Sequence, residues 1–177
     1  AHALAALGRK DDDAFDLQAA VFACALHEIP DRDLAPAERV MAEIAHTLRA
    51  DPRPLEEALP GVMVDTFGFL GAQAQAYEAP ESADIPAVLA SRRGLPVALA
   101  IIWRIAARAI GAPFAITSTP GHVLGRLQTE EGPIILDPFN AGQRLDDHAL
   151  YQIAARVGLE EAPALAFAPA TDRAAAI

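Results

Sequence analysis

The sequence predicts an α+β domain: one buried helix packed against a small antiparallel sheet, with a helical bundle ahead of them. Three observations carry this. Residues 96–109 are apolar nearly all round, broken only by Arg104 and Arg108, which is the pattern of a helix surrounded by protein. Behind them, 114–119, 122–128 and 133–139 read as strands, the last two joined by a turn at Glu130, Glu131 and Gly132. Ahead of them, residues 14–67 show amphipathic helical spacing and heavy use of Ala. A chain of 177 residues accommodates this as a single domain: a helical part over 1–67, the core helix and sheet over 68–145, and a closing helix and tail over 146–177.

The first helix is expected over 14–27, capped by Asp11, Asp12 and Asp13, with Leu17, Val21 and Cys24 on its buried face. Ile29-Pro30 ends it. A second helix opens near Pro36 and buries Val40, Ile44 and Leu48. A third starts at Leu55 after the linker DPRP, is interrupted at Pro60-Gly61 and resumes through Phe67. The stretch GFLG (Gly68, Phe69, Leu70, Gly71) sets two glycines around an apolar pair, the mark of a tight bend with close backbone approach. Residues 84–91 form a short helix with Ile85, Val88 and Leu89 turned inward. Pro96 suits the first position of the central helix, and Gly111 with Pro113 ends it. Asp146 or Asp147 caps a last helix reaching Val157 and stopped by Gly158. The tail from Ala162 is rich in Ala and Pro and weakly specified.

Composition narrows the function. The net charge of -10 is not offset by any basic block beyond Arg92-Arg93, which leaves no basic face for nucleic acid. The lone Cys24 permits neither an internal disulfide nor a thiol-based zinc site, and it fits a reducing compartment. The longest apolar run, 95–103, is too short to cross a bilayer, and the opening residues lack the order of a secretory signal, so a cytoplasmic protein without membrane contact is expected. His27-Glu28 lacks the second His of a zinc-binding HExxH helix, and neither metal nor cofactor is expected.

The candidate chemistry lies in His122 and Asp137. A short hairpin between their strands sets them opposite or diagonal, on one face either way, with Cβ atoms roughly 5 Å or about 7–8 Å apart. An imidazole oriented by a carboxylate is two-thirds of a thiol-acyl site. The missing third is a nucleophile at the start of a buried helix, where the dipole favours thiolate.

The segments RRGLPVALAIIWRIAARAIGAPF, PGHVLGRL and ILDPFNAG, with GFLG upstream, together resemble the SirB-type transglutaminase-like domain family of the papain-like, transglutaminase-like superfamily, over roughly residues 17–145. The resemblance implies a papain-like α+β fold, with His122 and Asp137 at the superfamily's His and Asp positions and the helix start near Pro96 at the nucleophile position. No Cys, Ser or Thr occurs between Arg92 and Arg108, so that helix offers no side-chain nucleophile. Ala72 stands where the family often shows Asn.

The expectation is therefore a non-catalytic binding module for a peptide, a protein or a small ligand. Arg93 and Pro96 would border the cleft, and Phe69, Gly121 and Phe139 would shape its walls. The alternative is a hydrolase or acyl-transfer enzyme in which His122, oriented by Asp137, acts in the same cleft. Cys24, on an apolar stripe well inside its helix, is expected to be core rather than catalytic.

Overall fold

A computed structural model describes residues 15–119, 122–155 and 169–175. Helix α1 (Leu17–Glu28) starts where the Asp16 carboxylate accepts the Ala19 N–H at 3.0 Å, later than its spacing suggests. Asp11, Asp12 and Asp13 lie outside the described residues. Because α1 is apolar on nearly every side, its sequence does not single out a buried face. Leu17, Ala20, Val21, Phe22 and Ala25 are buried, whereas Cys24 is exposed, which corrects its expected place in the core. Helix α2 (Ala35–Ala50) carries Pro36 in its first turn and buries Ala37, Met41, Ile44, Ala45 and Leu48. Val40 lies on the flank of that stripe and is only half-buried.

Helix α3 (Leu55–Pro60) does not break at Pro60-Gly61. It widens into a π-helical turn, Gly61–Thr66, in which the Phe67 N–H reaches back to the Val62 carbonyl at 3.0 Å. Pro60 has no N–H to give, and the wider turn carries the chain past it. The GFLG bend then leads into β1 (Leu70–Gly71), which pairs in parallel with β2 (Arg93–Gly94). Between them, α4 (Ile85–Ser91) is capped by Asp84 and ends at Arg92, which takes the left-handed conformation at φ 62°.

Helix α5 (Pro96–Ala109) follows β2 after a single residue. Its all-round apolarity is matched by its surroundings: α1, α2 and α4 pack on it, and so do the strands β3 (Phe114–Thr119) and β4 (His122–Thr129). Trp103, Leu99, Ile102 and Ala106 have no exposed surface. The sheet continues antiparallel through β5 (Gly132–Asp137) to β6 (Gln143–Leu145), a strand too short to stand out in the sequence. Gly125 is required here, since a Cβ would run into the Phe114 ring.

Helix α6 (Asp147–Ala155) is capped by Asp146, which accepts the Ala149 N–H at 2.8 Å. Its expected end at Val157 and Gly158 lies outside the described residues. The weakly specified tail is in fact anchored over 169–175. Pro169 bridges to Thr117, and the Ala170 N–H donates to the Ile116 carbonyl at 2.7 Å. Helix α7 (Asp172–Ala175) then places Asp172 against α5, where it receives Arg104 Nε and Arg108 Nη1, each at 2.7 Å. No helix among the described residues is long and apolar enough to cross a membrane.

Candidate functional site

The β4–β5 register pairs Thr129 with Gly132 and Gly125 with Leu136, so Glu130 and Glu131 form the loop. One further step sets Leu124 across from Asp137, and His122 becomes the diagonal neighbour on the same face. The imidazole closes that gap: Nε2 lies 2.8 Å from Asp137 Oδ2. A carboxylate only accepts, so Nε2 carries the proton.

Asp137 is buried and fully engaged. Its Oδ1 accepts the backbone N–H groups of Phe139 and Asn140, both at 3.1 Å, and its Oδ2 also accepts the Asn140 side-chain N–H at 2.7 Å. Burial pushes this carboxyl up, but the bonds from His122 and Asn140 outweigh it and leave the pKa below the ordinary value. The carboxylate is thus ionised at neutral pH and holds the ring in one tautomer and one orientation. Asn140 was not singled out by sequence reasoning. The signal was available: Asp137 followed three residues later by Asn, in a turn the Asp side chain can close.

Phe139 stands beside this pair, its ring 6.3 Å from the imidazole and nearly perpendicular to it. Tyr77, an exposed residue absent from the sequence prediction, meets the other side of Phe139 edge-on at 6.0 Å. Gly71 makes room for the ring, since a Cβ there would come within 2.7 Å of it, and the Gly71 N–H donates to the Phe139 carbonyl at 3.0 Å. Strand β1 therefore sits between the 138–142 turn and β2. Through β2 the start of α5 is tied to the same place, with Leu95 as its cap residue and Pro96 half-buried in the first turn.

The remaining expected wall residues fall differently. Phe69 has no exposed surface. It lies beneath the Arg92 guanidinium, 5.0 Å from the ring centre, so it supports the bend from below rather than lining a cleft. Arg93 is exposed, and its Nη1 donates to the carbonyls of Gly68 and Arg92 at 2.7 and 2.9 Å, which fastens the bend to β2. Gly121 lies outside the described residues. Among the described residues no group of three or more His, Cys, Asp or Glu could hold a metal ion.

A family model for the transglutaminase-like superfamily matches residues 34–176. The chain belongs to this superfamily. It is also 30% identical to the UPF0162 proteins of two Xylella fastidiosa strains, Temecula1 and 9a5c, over 81% of its own length. The alignment takes in 53% of each relative, so the chain spans about half the length of the curated relatives it matches. No solved structure matches it significantly.

In this transglutaminase-like domain the central helix begins Leu95, Pro96, Val97, Ala98, without thiol or hydroxyl. The nearest preceding hydroxyl, Ser91 Oγ, is bonded to the backbone of Arg93. Cys24 stands exposed on α1 and is not among the partners of Asp137.

Proposed function

We propose that this transglutaminase-like domain is a non-catalytic cytoplasmic module that binds a peptide, a protein segment or a small ligand beside His122 and Asp137. Within the superfamily we assign it to the SirB-type branch, on the strength of RRG-x-P, PGH and DPFN-x-G in one chain. The observation that carries the binding reading is a bonded His-Asp pair in a chain with no Cys, Ser or Thr at the start of its central helix. His122 and Asp137 are bonded at 2.8 Å, while the first turn of α5 presents only aliphatic side chains. Such a pair still offers a ligand a fixed polar edge next to the Phe139 and Tyr77 rings. Incubation with p-nitrophenyl acetate tests the reading. Release of nitrophenol at the buffer rate, unchanged by His122→Ala, is expected. Turnover that His122→Ala eliminates would overturn it.

A second reading follows from the ionised Asp137. A carboxylate bonded to Nε2 is the arrangement that lets an imidazole take a proton from water, and positioned base catalysis contributes about 10²–10⁴-fold. It requires a hydrolytic rate that both His122→Ala and Asp137→Asn lower, so a rate unchanged by either rejects it.

A further inference from the structure

Helix α1 is the least amphipathic of the long helices, with the sequence LQAAVFACALHE, and it leaves apolar surface uncovered. A groove of about 430 Å³ runs along one flank of it. Val21 and Cys24 of α1, Ala83 and Ile85 of the following layer, and Val97 and Ile101 of α5 line this groove. On another flank, a second groove of about 380 Å³ lies between α1 and the start of α2, lined by Phe22, Ala23, Leu26 and Leu34. Among the described residues, the charged ones lining the two grooves are Glu28 and Asp84 in the first, Asp16 and Glu38 in the second. All four are acids. Asp84 is paired with Arg32 and Asp16 caps α1, but Glu28 and Glu38 form no ion pair among the described residues.

We infer that the groove between α1, residues 80–85 and the start of α5 is a docking surface for an amphipathic helix of a partner protein, one with an aliphatic face and Lys or Arg along its edges. Apolar anchors spaced i, i+3 and i+4 enter such a groove, and a flanking cation meets Glu28, the lining carboxylate that Arg32 does not hold. The sign of the rim selects this occupant. A second copy of the chain brings its own net charge of -10 and the same acidic rim. An anionic lipid surface is repelled for the same reason.

Cys24 is the only cysteine in the chain, it is exposed, and it lines the groove, so its alkylation by neutral iodoacetamide reports occupancy directly. The probe is a helical peptide of Leu and Lys, about 18 residues or five turns long. A peptide of the same pattern with Glu in place of Lys is its counterpart. At about ten times its Kd the Leu/Lys peptide slows alkylation about tenfold, by simple occupancy. The Leu/Glu peptide leaves the rate unchanged. Glu28→Lys and Ala83→Lys, both at exposed positions, each restore most of the free rate while the melting temperature confirms an intact fold. Equal protection by both peptides, no protection by either, or protection that survives both substitutions overturns the inference. So does protection that grows with protein concentration alone, because the occupant is then a second copy.

Discussion

Asp137 and Asp172 are both buried carboxylates that tie distant parts of the chain together, yet they are held by different kinds of partner. Asp137 accepts from an imidazole, an amide side chain and two backbone N–H groups of its own turn. Asp172 accepts from two guanidinium groups one helical turn apart on α5, and Arg108 also reaches back to the Phe15 carbonyl. Arginine keeps its charge at any pH a folded protein meets, so the Asp172 cluster is a fixed staple. The Asp137 cluster is instead held by neutral donors and an imidazole, whose second ring nitrogen is a further polar group. The contrast is between a staple of full charges and a cage of directed hydrogen bonds.

The largest effect that would break this comparison is expected at Asp137. Asp137→Ala leaves four donors without their acceptor in a buried place, at a cost of about 3 kcal/mol. A urea titration checks it, and a loss no greater than that of a surface substitution would mean the cage is not strained by the vacancy. The pH dependence has a definite sign. Because the folded carboxyl lies below its 3.8 reference value, its contribution is present above that pH and is lost on acidification through the lowered folded value. The stability gap between the native protein and Asp137→Asn therefore narrows below about pH 4, and a gap that stays constant there contradicts the arrangement.

A smaller effect is expected at Asp172. Arg104 and Arg108 keep 23% and 40% of their side-chain surface in water, so solvent screens much of the attraction. Asp172→Ala is expected to cost about 2 kcal/mol and to release the segment 169–175, which limited proteolysis detects as early cleavage near the C-terminal end. Unchanged cleavage would show that the Ala170 and Pro169 contacts with β3 hold the segment unaided.

These two clusters also differ in how far they were legible beforehand. His122 and Asp137 lie on strands joined by a short hairpin, and a period of two sets them on a common face for a loop of two or of four residues. Arg104 and Arg108 were visible as two charges one turn apart on an otherwise apolar helix. Their partner comes from 64 or more residues further along, in a segment whose Ala and Pro content carries no periodic signal. Strands β1 and β2 contain two residues each, too few for alternation to show, and only the glycines of GFLG hinted at the close approach. Cys24 was misplaced for the opposite reason: α1 has too many apolar residues for spacing to choose a face. Phe69 was read as a wall and is core, because a bend flanked by glycines does not reveal which side of it meets solvent.

Strain sharpens the comparison once more. Among the described residues the two non-glycine positions at positive φ are Arg92 at 62°, at the end of α4, and Ala141 at 56°, in the turn after Asp137, and neither belongs to the Asp172 cluster. Ala141 occupies the turn that delivers Phe139 and Asn140, closed by the Gly142 N–H on the Asp137 carbonyl at 2.8 Å. An alanine in the left-handed region costs about 1–2 kcal/mol relative to its preferred conformations, and glycine avoids most of that penalty. Ala141→Gly is therefore expected to stabilise the fold by about 1 kcal/mol, raising the melting temperature by about 2–4 °C. A lowered melting temperature would mean that the turn rests on the methyl group rather than suffering it. If stability rises while ligand binding beside Phe139 weakens, the strain serves to hold the turn stiff against the imidazole, as is common where backbone strain and function coincide.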